Sequence, residues 1–402
     1  MECIMEFLKD EYQGKLRKFA QGISERHEDT ISSYKDIFIM HYNLAKSETS
    51  ACKKCCDSYF CEEIRTVLYN ISEDDITYFF DKVREIYLYW INSEPINSIN
   101  SFSTLLNEYN LLSFTKKITN NQIFFKARNS DKILTRWDMF HIPFNKRYLI
   151  GNQRYSLTGQ PMLYIGSSVL DVAKEIGVTD INNLKVSVVK LPITNFRIYE
   201  LRHNILGLSV EYAFKYLSDD ESPTYNQSLF FKMILSSLCS FQKKSELNGY
   251  SFCEEYVIPQ IFALILKQNN FNGISYISTK KYNDIDNINS NGNDYKENIA
   301  IFTNSNSNHV YDHELYDKIN ISVPIDINKI DDISLDDIIE LCNEINLTHI
   351  QEKINRSEII YNSYIHTYSN IKIDNIDYSE STYGKIHLYE LYTVLNQILV
   401  SK

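Results

Sequence analysis

Glycine and proline are scarce in this chain, 11 and 7 among 402 residues. Folds that need many tight turns, such as sandwiches and barrels, are therefore not expected. Positive charge is also in deficit: Lys plus Arg is 41 against 52 Asp plus Glu, a formal net charge of −11. Nucleic-acid binding draws its affinity from counterion release by clustered cations, and anionic membranes attract polybasic segments. Neither partner suits a chain this acidic. Any anionic ligand must be held by a few local cations against the overall field. Long hydrophobic runs are missing as well. The longest apolar stretch, Tyr256 to Leu266, carries Pro259 and Gln260 and is too short to span a bilayer. The opening Met1 to Glu6 has no basic region leading into an apolar core, so no signal peptide and a cytoplasmic location are expected. In that setting the eight cysteines are not a disulfide framework.

What is present is a globular mixture of 44% apolar and 23% charged residues. Residues 1–115 read as helical. Phe7, Leu8, Tyr12, Leu16 and Phe19 recur at helical spacing between Met5 and Ile23. Ser72-Glu73-Asp74-Asp75 is a helix start ahead of Ile76, Phe79, Phe80, Val83 and Ile86, and Glu94-Pro95 marks its end. The middle of the chain changes character. Strands are expected over Gln122 to Arg128, Met162 to Gly166, Leu184 to Leu191, Gly273 to Ser278 and Ile299 to Phe302. A helix is expected from Ser168 to Ile176, and a polar loop over Asn283 to Asn298. Strands and helices mix without regular βαβ alternation, which predicts an α+β fold. Helix starts at Ser334 to Asp337 and over Ile386 to Leu399 predict a helical tail. The expected division is a helical N-terminal domain (1–115), a mixed strand-and-helix domain (116–305) and a helical C-terminal extension (306–402).

Two clusters carry chemistry. Cys52, Cys55, Cys56 and Cys61 place four thiols within ten residues, and a C-x-x-C pair is a usual half of a zinc site; no matching second half follows in sequence. The other reading is four thiols in a helical domain. The second cluster is cationic. Lys126, Arg128, Lys132, Arg136, Lys146, Arg147 and Arg154 make one stretch of an acidic chain locally basic, as a diphosphate pocket requires; on pattern alone the favoured reading is a solvated basic face. Aromatic residues and one acid, Glu175, accompany it. His141, between Phe140 and Ile142, reads as a hydrogen-bonded structural histidine.

The set Arg154-Tyr155-Ser156, Gly159, Pro161, Leu163-Tyr164 and Glu175 resembles the RES-domain family, whose fold is similar to ADP-ribosyltransferases. Asp138 to Phe144, Glu255 to Gln260 and Gly273 to Ser278 resemble its longer branch, so the likeness covers residues 122–303. The resemblance implies a toxin or defence enzyme that cleaves the nicotinamide–ribose bond of NAD or transfers its ADP-ribose. It also implies an antitoxin or regulatory protein as partner, with a homo-oligomer as a further expectation. Cleavage of that bond passes through an oxocarbenium-like state, which an aimed carboxylate stabilises. The resemblance gives that role to Glu175. It gives Arg128 and Arg154 to the pyrophosphate or ribose oxygens, Tyr155 or Tyr164 to stacking on nicotinamide, and Ser278 to orienting the ribose or Glu175, and it counts Ser156 and Lys126 among the NAD-binding residues.

One departure stands out. The family's leading motif reads aromatic-Arg-x-Arg, and here it is Phe125-Lys126-Ala127-Arg128. Either Lys126 replaces the catalytic arginine and loses its bidentate fork, or Arg128 is that arginine and is intact. The alternatives to an NAD-cleaving enzyme are a protein ADP-ribosyltransferase using the same site and an inactive NAD-binding scaffold. The N-terminal helices are expected to regulate the catalytic domain, with a HEPN-like shape.

Overall fold

The computed structural model describes residues 4–47, 68–119, 122–177, 183–201, 222–244, 252–279, 297–305 and 308–326. Four short pieces nearer the C-terminus, 372–373, 376–377, 389–390 and 392–393, are also described. The fold is α+β and divides into two compact units that share the chain by turns. The first holds Met1–Lys116, Ile150–Gln160 and Arg197–Thr279; the second holds Lys117–Leu149, Pro161–Phe196 and Lys280–Lys402. Among the described residues no helix is long and apolar enough to cross a membrane.

The first unit is mainly helical: α1 (Ile4–Phe7), α2 (Asp10–Ile23), α3 (His27–Ser47), α4 (Glu73–Ile91) and α5 (Pro95–Glu108) come before its first strand. The single helix expected from Met5 to Ile23 is two. Ser72 caps α4 by accepting the Asp75 N–H at 3.0 Å, and the acids that follow suit the positive end of the helix. Pro95 does more than end a helix, since it occupies the first turn of α5, where its missing N–H costs nothing. The sheet of this unit has β1 (Thr115–Lys116) antiparallel to β5 (Ile198–Glu200), and β5 parallel to β6 (Gly273–Ile277). Helices α7 (Ser222–Leu238) and α8 (Val257–Gln268) complete it. The apolar run that is too short for a bilayer lies mostly in α8, whose side chains are buried almost all round. The core is aromatic: Phe38 meets Phe7, Phe80 and Phe230 with ring centroids 5.1 to 6.0 Å apart.

The second unit is an antiparallel sheet with one short helix on a face. Its strands are β2 (Phe124–Asn129), β3 (Met162–Gly166), β4 (Leu184–Lys190), β7 (Glu297–Phe302), β8 (Asn320–Ile321) and β9 (Ile325–Asp326). Pairing runs β7–β3–β2–β4, with β8 and β9 both on β4. The helix is α6 (Val169–Glu175), and α9 (His313–Lys318) follows β7. A two-stranded pair, β10 (Lys372–Ile373) with β11 (Ile376–Asp377), lies in the region expected to be a helical tail. The helix starts at Ser334 and Ile386 fall outside the described residues, apart from helical pieces at 389–390 and 392–393. Residues 283–296 of the expected polar loop also fall outside them, and its last two residues, Glu297 and Asn298, belong to β7.

Candidate functional site

The residues singled out in the sequence divide between the units. Lys126, Arg128, Tyr164 and Glu175 lie in the second, and Arg154, Tyr155, Ser156 and Ser278 in the first. Cys52, Cys55, Cys56 and Cys61 lie outside the described residues. Among the described residues no group of three or more His, Cys, Asp or Glu side chains is placed to hold a metal ion.

In the second unit, Ser168 starts α6 by accepting the Asp171 N–H at 3.0 Å. Val169, Val172 and Ala173 then pack on Phe125 and Ala127 of β2 and on Leu184, Val186 and Val188 of β4. Gly177, at φ 71°, stops the helix in a conformation that suits glycine, and its N–H bonds Lys174 O at 3.0 Å. Glu175 is thus the last helical residue. A carboxylate is disfavoured there by the helix dipole, so a specific partner is needed to hold it. Asn298 supplies one: its Nδ2 donates to Glu175 Oε1 at 2.8 Å. Asn298 is only 3% exposed and stands opposite Gly166 in the β3–β7 register.

Gly166 makes this approach feasible. A Cβ on it would come within 2.7 Å of Val172 Cγ1 and 2.9 Å of Asn298 Oδ1. The next residues lock the strands together: Ser167 N–H donates to Glu297 O at 2.8 Å, and Glu297 N–H donates to Ser167 Oγ at 3.2 Å. Tyr164 precedes Gly166 by two residues and stands opposite Ala300, so it shares the face of Glu175 and Asn298.

Lys126 and Arg128 emerge from the other face. Phe125 and Ala127 belong to the core beneath α6, and strand alternation turns Lys126 and Arg128 away from it. Their cross-strand neighbours are Ser187 and Lys185. Burial, reinforced by the Arg128 charge, pushes the Lys126 ammonium down to about 8. Burial also lowers Arg128, against the opposing pull of Asp138 and Tyr311. Asp138 is held low by the Thr135 N–H and hydroxyl, which donate to Oδ2 at 2.8 and 2.7 Å, and then by Arg128 and Lys146. Lys126, Arg128 and Glu175 are expected from the sequence to share one site; in the sheet the cations and the acid belong to opposite faces. His141, on this unit's β2–β3 connection, is buried and doubly bonded. Its Nδ1 lies 2.8 Å from Ile142 O, and its Nε2 accepts the Asp312 N–H at 3.0 Å. That pattern fixes the neutral ring with the proton on Nδ1, and burial lowers its affinity for a second proton.

In the first unit, Arg154 is a structural centre. Nη1 donates to Cys239 O at 2.7 Å, and Nη2 donates to Phe241 O at 3.0 Å and Thr279 Oγ1 at 2.7 Å. The guanidinium also lies 4.8 Å from the Tyr256 ring centroid. Tyr155 is buried and packs on Tyr276 with centroids 4.5 Å apart. Ser156 Oγ donates to Gln153 Oε1 at 3.0 Å, and Ser278 is buried at the end of β6. Gln260 of α8 holds the same loop, with Nε2 within 3.0 Å of Asn152 Oδ1, Gln153 O and Ser156 O.

Two residues were missed in the sequence. Asn298 sits at the edge of the polar run Asn283 to Asn298, and its signal was the apolar Ile299 to Phe302 directly after it. Gly166 appears only as the end of a strand, and its need is visible only once the helix is placed.

Fold and site together define an α+β protein with a carboxylate fixed at the end of a short helix on an antiparallel sheet. Among curated proteins, the chain is similar to one from Bacillus subtilis (strain 168) named "Putative toxin YopC". The two are 32% identical over 203 residues, 48% of this chain and 45% of that protein, so the chain spans under half the length of this relative. No protein-family model and no solved structure matches the chain.

Proposed function

We propose that the protein is a toxin that consumes NAD, with Glu175 stabilising positive charge on the ribose as the nicotinamide bond breaks. The observation that carries this reading is the Glu175 carboxylate held by the buried Asn298 amide at 2.8 Å, with Tyr164 on the same face. A carboxylate fixed in advance stabilises an oxocarbenium-like state without reorganising. The likeness of the Arg154 to Glu175 segment to RES domains supplies the substrate class. The name of the similar Bacillus subtilis protein supports the toxin class. In this mechanism the ribose carbon lies against Glu175 as nicotinamide departs with the bond's electron pair, and water or another acceptor then adds to that carbon. An aromatic face at Tyr164 suits stacking on nicotinamide.

The test is nicotinamide release from NAD by the purified chain, with and without phosphate. Glu175→Gln is expected to lower kcat by about 10²–10³-fold. Release by wild type that is unchanged in this variant would remove Glu175 from the mechanism, and no release by wild type would sink the NAD reading. Lys126→Met with Arg128→Met tests the cations: a raised KM assigns them to the diphosphate. An unchanged KM leaves them a structural role on their own face.

A further inference from the structure

Glu175 occupies an awkward place. It closes a helix, where the outward-pointing carbonyls repel a carboxylate. Its Oε1 nevertheless has a well-formed hydrogen bond from Asn298. The donor is better fixed than the acid it serves. Asn298 is buried inside β7, paired in register with Gly166, and flanked by the reciprocal Ser167–Glu297 bonds. Its Oδ1 lies over Gly166, so its Nδ2 is the end turned to Glu175. An acid at this position would set two carboxylates against each other, and they would share a proton. A neutral amide donates to the carboxylate with no such conflict.

We infer that Asn298 is a positioning residue for Glu175: it holds the carboxylate in its aim. Gly166 provides the gap through which the amide approaches. This inference rests on the NAD reading for its catalytic consequence, but the pairing itself can be tested without NAD.

Two variants and one spectrum decide it. Asn298→Asp, nearly the same shape, is expected to move the acid limb of the pH profile for nicotinamide release upward by about one unit or more. Asn298→Leu is expected to lower kcat by about 10²-fold with KM unchanged, since the loss lies in aim and not in substrate binding. Thermal melts confirm that each variant is folded; should the Leu variant fail to fold, the Asp variant alone decides. Folded variants with wild-type kcat and an unmoved acid limb would overturn the inference. Independently of activity, the Asn298 side-chain amide resonances of the full chain are followed with pH by proton–nitrogen NMR. They are expected to report an acid titration that disappears in Glu175→Gln. If no such titration exists, the inference falls whatever the protein does with NAD. If it exists and wild type releases no nicotinamide, the NAD reading falls and the pairing stands.

Discussion

A single buried imidazole shows how far one side chain's surroundings set its chemistry. His27 opens α3 and is packed edge-on against Tyr87 and Phe241, with centroids 5.0 and 5.3 Å away. Burial pushes it down to about 4; Glu255 opposes that shift weakly and Lys244 adds to it. In the unfolded chain a histidine titrates near 6.5. Between those values the unfolded state binds the proton more readily, so His27 favours folding above the unfolded value and that contribution is lost as pH falls. The expected cost is about 2 kcal/mol by pH 5. The melting temperature of wild type should therefore drop from pH 7 to pH 5, and His27→Phe should flatten that drop. Parallel curves for the two proteins would show that His27 is not the titrating group. Lys126 is the same effect with the other consequence: a desolvated ammonium beside a guanidinium gains from any anion that reaches it.

At the scale of elements, the contact between α6 and the β3–β7 pair decides whether Glu175 is held. Gly166→Ala places a methyl group against Val172 and the Asn298 amide, with the 2.7 Å approach too close to keep. Overpacking of this kind costs about 1–3 kcal/mol. We expect Gly166→Ala to lower the melting temperature and to depress nicotinamide release together. Gly166→Ala with Val172→Ala should recover stability, because the space returns. A Gly166→Ala protein as stable and active as wild type would refute the close packing. Most strands in the second unit were readable: Met162 to Gly166 is β3, and Leu184 to Leu191 is β4 with one residue fewer. A short apolar run bounded by turn residues, as in β3, and alternation, as in β4, are local signals. The start of β7 was not readable. Glu297 and Asn298 are polar yet buried, and their pairing with Ser167 and Gly166 is not visible in the local sequence. The same limit applied to faces. Sequence order put Lys126 and Arg128 in the expected pocket, whereas alternation about the apolar Phe125 and Ala127 turned them away from it.

At the scale of the molecule, the chain leaves the first unit after Lys116, returns for Ile150–Gln160, and returns again for Arg197–Thr279. The brief middle visit needs an anchor, since eleven residues cannot bury a core of their own. Arg154 is that anchor. It bonds carbonyls of Cys239 and Phe241 just beyond α7 and the Thr279 hydroxyl just beyond β6, tying segments 85 to 125 positions apart. Gln260 of α8 clamps the same loop from its other side. In the sequence this arginine stands in a motif that suggests a ligand, because nothing local shows three protein acceptors waiting for it. The two roles separate by experiment. Arg154→Leu leaves buried acceptors unmet at about 1–3 kcal/mol each, so a loss of several kcal/mol in denaturant unfolding is expected without any nucleotide present. Arg154→Lys keeps the charge but cannot reach three acceptors in one plane, and it should recover only part of that loss. A folded Arg154→Leu protein with wild-type stability and a selectively raised KM for NAD would instead return this arginine to the substrate.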